Sequence, residues 1–161
     1  MSEVCFFCDE YQSGMVGFAE TELWRARWDG RPATPGHALL IPKRHAQYLE
    51  ELTAAESDSL LPFVREVIKI INVTDLLQLY TDMEKTTDQQ GATFIEHALA
   101  NLQQRATKPS AFNYGVNDGP EAGQSVPHFH FHIMPRWKGD MLNPRGGVRN
   151  LFRDDTYGEL S

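Results

Sequence analysis

His128-Phe129-His130-Phe131-His132-Ile133-Met134-Pro135-Arg136, reached through Gly123-Gln124-Ser125-Val126-Pro127, is the stretch whose reading decides the fold. It holds half of the chain's 6 histidines. In an extended strand side chains alternate between faces, so His128, His130 and His132 are expected on one face and Phe129, Phe131 and Ile133 on the other. The aromatic face can pack on a core. An imidazole face gains little from burial, and a solvated face would more cheaply carry Thr, Lys or Glu, so the pattern points to chemistry. Two chemistries use histidines in this way. One is metal ligation by neutral imidazole; the other is nucleophilic catalysis, in which one imidazole attacks and its neighbours orient it or bind the electrophile. Working outward, Asn117 to Ser125 is a turn-rich loop with two glycines, an amide at Gln124 and a hydroxyl at Ser125. Such loops present backbone N–H groups to anions, which suggests a phosphate ester beside the imidazoles.

Residues 128 to 134 fill every position of His-φ-His-φ-His-φ-φ, φ being hydrophobic, and in this they resemble the histidine triad (HIT) family of nucleotide hydrolases and transferases. Asp118 to Gln124 and Pro135-Arg136-x-x-Gly139-Asp140 are similar to the Fhit branch of that family, which cleaves dinucleoside polyphosphates. Pro35 to His45 is similar to the family's first core strand. The resemblance implies an α+β, HIT-like fold with a mainly antiparallel sheet, a nucleotide or dinucleoside polyphosphate as substrate, and a homodimer.

The chain of 161 residues is the size of one domain, and its formal charge of −7 argues against long nucleic acid as a partner. Local charge differs. Between Pro135 and Arg153 stand Arg136, Lys138, Arg145, Arg149 and Arg153 against Asp140 alone, a section that suits a polyphosphate or forms a solvated face. No apolar run nears the ~18 residues of a membrane span, and no signal peptide is evident, so the chain reads as cytoplasmic.

Both cysteines lie in Cys5-Phe6-Phe7-Cys8, which leaves a redox pair, a metal half-site or two buried thiols as readings. A tetrahedral zinc would need two further ligands, and the sequence offers His45 and His128. Some bacterial HIT proteins hold a structural zinc with the equivalents of Cys5, Cys8, His45 and His128, so the resemblance implies that set here.

Leu23 to Trp28 reads as a strand turning at Asp29-Gly30, and His37 to Pro42 as a central strand. Ala111 to Val116 reads as a strand pairing with the histidine strand. Asp29 matches the family residue that binds ribose hydroxyls; the alternative is an Asp that opens a turn. Thr53-Ala54-Ala55-Glu56 has the spacing of a capping box ahead of a helix that Pro62 could kink. A second helical pattern spans Leu76 to Met83, then the polar run Thr86 to Gly91 follows. A third helix is expected from a capping box at Thr93-Phe94-Ile95-Glu96, with Ile95, Ala98, Leu99, Leu102 and Ala106 inward. Compared with the family pattern, residues 72–92 look like a helical insertion and residues 141–161 like a C-terminal extension.

The chemistry follows from the residue types. Neutral imidazole is a good nucleophile at pH 7, and its attack on a phosphoanhydride gives a phosphoramidate and a stable leaving anion. By resemblance His130 is the nucleophile, with His128 and His132 beside it and His37 as the histidine that helps orient the triad. His132, Ser125 and Gln124 would donate to phosphate oxygens, Asn117 would contact phosphate, and Arg136 would neutralise it. Hydrolase, phosphorylase and Hint-like phosphoramidase versions share this chemistry. A non-catalytic module whose three histidines hold a metal is the reading from another class.

Overall fold

The computed structural model describes residues 5–14, 17–103, 108–142 and 144–145. Arg149, Arg153, Ala106 and the extension beyond residue 145 lie outside them. Five strands form one antiparallel sheet: β1 (Ala19–Glu20), β2 (Trp24–Trp28), β3 (Ala38–Pro42), β4 (Ala111–Gly115) and β5 (Phe131–Arg136), in spatial order β1-β2-β3-β5-β4. Among the described residues four α-helices accompany it: α1 (Phe6–Gln12), α2 (Ala54–Val73), α3 (Leu76–Glu84) and α4 (Gln89–Gln103). This is the expected α+β arrangement. No helix among the described residues is long and apolar enough to cross a membrane.

Alternation along the strands sorts their side chains between two covers. In β3, Ala38 and Leu40 join the main core, while Leu39 and Ile41 join Cys5 and Phe7 on the opposite face. In β2, Trp24 and Ala26 face the main core, whereas Arg25 and Arg27 reach α1. The Arg25 guanidinium donates to the Phe7 carbonyl and Arg27 pairs with Glu10, so two strand arginines tie the first helix down. The main core is closed by α2. Its Leu60, Phe63, Val64, Val67 and Ile71 recur at helical spacing and pack on Trp24, Leu40, Phe129 and Ile133. Burying each such side chain stabilises the fold by about 1.5–3 kcal/mol.

The capping box at Thr53 and Glu56 forms as expected, and the helix runs through Pro62, which sits on its exposed side. The second expected box does not cap anything. Helix α4 starts four residues earlier at Gln89, because the Asp88 carboxylate already accepts the Gly91 N–H at 2.6 Å, and Thr93 to Glu96 fall inside the helix. Helices α3 and α4 form a hairpin with its own core of Leu76, Tyr80, Ile95 and Ala98, sealed by Trp137. The Tyr80 hydroxyl accepts the Gly36 N–H at 2.8 Å, joining this hairpin to the turn before β3. Gly36 has φ of +82°, and a Cβ there would stand 3.1–3.4 Å from Pro135, Leu76 and Ile71, so the turn needs glycine for both conformation and space.

Candidate active site and metal centre

The histidine strand is shorter than the alternation argument expects. Pairing begins only at Phe131, because the Phe129 N–H goes instead to the Ala46 carbonyl at 2.6 Å and the His128 N–H to the Val126 carbonyl at 2.8 Å. The facial separation survives this. Phe129, Phe131 and Ile133 all pack on the main core, and the three imidazoles stand on the other side with Phe7 edge-on to His128 and His130.

The local backbone sets which nitrogen of each ring is free. His130 Nδ1 is 2.8 Å from the His128 carbonyl, which can only accept, so Nδ1 carries the proton and Nε2 keeps a lone pair. His128 is the reverse. Its Nε2 donates to the Pro42 carbonyl at 3.0 Å, and its lone pair on Nδ1 faces Cys5 Sγ at 3.3 Å and Cys8 Sγ at 3.5 Å. In the third ring the Ala33 N–H donates to His37 Nδ1 at 3.2 Å, so His37 Nε2–H faces His132 Nδ1 at 3.0 Å. His132 is then protonated on Nε2, a buried atom with no partner among the described residues. Burial pushes His37, His128 and His132 down to about 4, so all three rings are neutral at pH 7. Asp29 Oδ2 stands 3.2 Å from His37 Nδ1, and burial raises the Asp29 carboxyl above its ordinary value.

These groups open on a pocket of about 570 Å³ lined by Asp29, Gly30, Arg31, His37, Ser125, His130 and His132, with Phe6, Phe7 and Arg27 on one wall and Thr87, Asp88 and Gly91 on another. A ring nitrogen with a lone pair, an imidazole donor and a hydroxyl therefore share one cavity of ligand size.

Behind that pocket Cys5, Cys8, His45 and His128 bring their ligand atoms within 4.8 Å of one another. Cys8 Sγ is 3.3 Å from His45 Nδ1. Zinc bonds of about 2.3 Å to sulfur and 2.0 Å to nitrogen at tetrahedral angles place S and N about 3.5 Å apart, so the donor set fits that ion. The carbonyl of Pro42 fixes the His128 tautomer a ligand needs. Burial pushes the Cys8 thiol up to about 11. A shared metal for the three histidines finds no support: the ligand groups among the described residues are this set and Asp29, His37 and His132, and His130 belongs to neither.

A family model described as the HIT domain matches residues 12–139. The chain belongs to the HIT family. It is 31% identical over 134 residues to a relative named bis(5'-nucleosyl)-tetraphosphatase (asymmetrical) from Schizosaccharomyces pombe, covering 83% of this chain and 56% of that protein. It therefore spans only about half of that relative. It is also 31% identical over 134 residues to an adenosine 5'-monophosphoramidase of the same organism, covering 82% of this chain and 74% of the relative. Among solved structures, a zinc-bound histidine triad protein from Mycobacterium smegmatis superposes with a TM-score of 0.54 at 25% identity, over 89% of this chain and 82% of that one.

Of the site residues read from sequence, the HIT pocket gathers Asp29, His37, Ser125, His130 and His132, and the ligand cluster gathers Cys5, Cys8, His45 and His128. Three others stand apart from the pocket lining. Asn117 Nδ2 is 3.4 Å from the Gly123 carbonyl, and Gln124 Nε2 donates to the Gln47 carbonyl at 2.8 Å. Arg136 is held by both oxygens of Asp140 at 2.7 and 2.8 Å and by Asn113 at 2.6 Å, so its charge is already neutralised at the far end of β5. Sequence reasoning missed Phe6, Phe7, Arg31, Thr87 and Asp88. The aromatic pair was hidden inside the C-x-x-C, and the others carry no signal until the hairpin is folded against the Asp29 loop.

Proposed function

We propose that this chain is a nucleotide hydrolase that splits a dinucleoside polyphosphate at the α-phosphate through a nucleotidyl-histidine. The observation that carries the reading is the His130 ring, whose Nδ1–H is tied to the His128 carbonyl and whose Nε2 lone pair is left to the pocket. Nε2 attacks the α-phosphorus, a P–N bond forms, and the P–O bond to the rest of the polyphosphate breaks with its electrons on the leaving oxygen. The His132 Nε2–H and the Ser125 hydroxyl donate to the non-bridging oxygens as charge builds on them. Water then attacks phosphorus, its proton leaves to solvent, and a nucleoside monophosphate departs from regenerated imidazole. Asp29 supports the site from the ribose side, its carboxylate accepting from the vicinal hydroxyls.

The test is quenched flow with diadenosine tetraphosphate followed by intact-protein mass spectrometry. One nucleotidyl group per chain, lost in His130→Ala, supports the reading; turnover with no adduct on a single-turnover timescale sinks it. A phosphoramidase is the second reading, favoured by the relative of that name whose length this chain covers more fully. Comparing kcat/KM for the tetraphosphate and adenosine 5'-phosphoramidate decides between them.

Cys5, Cys8, His45 and His128 would hold one structural zinc, since four protein ligands close the shell and leave no position for a reacting water. Strand β4 lies at the edge of the sheet, and pairing of that edge across a twofold axis would give the homodimer, which light scattering would detect as twice the chain mass. Residues 72–92 are taken as the segment added to the common domain.

A further inference from the structure

A dinucleoside tetraphosphate carries most of its charge beyond the α-phosphate, and Arg136, the first cation after the triad, is taken up by Asp140. Two arginines line the pocket. Arg27 is paired with Glu10, whereas no carboxylate lies within ion-pair distance of Arg31 among the described residues. Arg31 follows the Asp29-Gly30 turn, with its N–H donating to Asp29 Oδ1 at 2.8 Å. Its Nη2 donates to the Gln90 amide oxygen at 2.7 Å, on the first turn of α4. Gln90 is neutral, so it directs the guanidinium without cancelling its charge, and four of the five donors of the guanidinium remain for a second partner. The contact is held from below. A Cβ on Gly91 would lie 3.2 Å from the Gly30 carbonyl and 2.1 Å from Thr87 Oγ1, so the helix and the loop meet at backbone distance.

We infer that Arg31 grips the phosphate chain beyond the α-phosphate, and that Gln90 of the α3–α4 hairpin is the positioning residue that aims it. The inference deepens the reading given under Proposed function and rests on it for the place of the α-phosphorus beside His130. Through this pair the hairpin selects substrates with a long polyphosphate over those with a single phosphate. The other charged groups of the lining are the carboxyls of Asp29 and Asp88 and the guanidinium of Arg27, which Glu10 already pairs, so Arg31 is the lining cation left to meet such a chain.

The experiment compares diadenosine tetraphosphate with adenosine 5'-phosphoramidate, which has the same α-phosphorus and no further phosphate. Arg31→Gln should raise KM for the tetraphosphate about tenfold, the size expected of an exposed charge-assisted contact, with kcat within about twofold and the phosphoramidate KM within about twofold. Arg31→Lys should fall between, because it keeps the charge and loses the fork. Gln90→Ala should raise the same KM about threefold and add nothing to Arg31→Gln. About 0.5 M salt should shrink every one of these differences. Equal changes for both substrates, or none, overturn the proposal. Calorimetric titration of the wild type and Arg31→Gln with ATP and AMP separates the two readings. If neither substrate turns over but the preference for ATP is lost in Arg31→Gln, the reaction assignment fails and the grip stands; an unchanged preference removes the grip.

Discussion

His128 and His132 belong to one short run, the first buried and the second half-buried, and both are pushed down to about 4 by burial. Their surroundings part them. His128 donates its Nε2–H to a backbone carbonyl and turns a lone pair toward the two sulfurs of Cys5 and Cys8. His132 meets a ring nitrogen of His37 and keeps a buried Nε2 for the pocket. The difference teaches that residue type and burial do not assign a histidine; the partner of its second nitrogen does. The side behind the pocket should therefore carry stability and the pocket side chemistry.

The hardest test of that division falls on the ring between the two sides. His130→Gly should lower kcat at least about a thousandfold while nucleotide affinity stays within about tenfold, because no other group forms the P–N bond. Retention of a few per cent of the activity would place the nucleophile elsewhere. On the metal side, purified protein should hold about one zinc per chain by mass spectrometry of metals. Cys8→Ser should lose it and lower Tm by about 10 °C, as roughly 3 kcal/mol does in a domain of this size, with only partial loss of kcat. A Cys8→Ser protein that melts normally but is inactive would reverse the assignment of the two sides.

The pocket side can be titrated. His37 and His132 bind fewer protons when folded than when unfolded between about pH 6.5 and pH 4, so their contribution is complete above 6.5 and is lost as pH falls through that window. Unfolding free energies from urea titration should drop from pH 7 to pH 5 by about 2 kcal/mol for one such proton. His37→Gln, which cannot ionise, should flatten that dependence; an unchanged slope would show that the pair is not its source. The smallest effect belongs to the hydroxyl beneath the turn that carries His37. Tyr80→Phe should cost about 1 kcal/mol in denaturant unfolding and leave kcat within about twofold, since it removes one buried hydrogen bond and no site group.

Legibility followed the range of the forces involved. The Thr53–Glu56 box, the apolar stripe Leu60, Leu61, Val64, Val67, Ile68 and Ile71 of α2 and the run of β3 are local patterns with large burial behind them, and they appear where their spacing predicts except that Leu61 stands exposed. Helix α1 was not legible, because seven residues give too short a period and its place is set by Arg25, Arg27 and the ligand cluster, all distant in sequence. The Thr93–Glu96 spacing misled because a capping box is only a pair of residue types, and Asp88 offered an oxygen earlier. Within the site, the histidines and the C-x-x-C carried their own signal. Arg136 looked like a substrate ligand from its closeness to the triad, yet Asp140 is as close a neighbour and takes it. Arg31 and Asp88 became visible only when the hairpin met the Asp29 loop.

The ligand cluster also fixes an order of events during synthesis. Cys5 and His128 are 123 residues apart, and closing a loop of that length costs about 4 kcal/mol of chain entropy before any contact forms. The four ligands cannot be complete until residue 128 has left the ribosome. Until then the first helix has β2 and β3 to lie on, through Arg25, Arg27, Leu39 and Ile41, but its two thiols lack the His128 ring. Cys5 thus meets the His128 ring only after the whole span between them has been made, and the growing polypeptide must keep its thiols reduced for that interval.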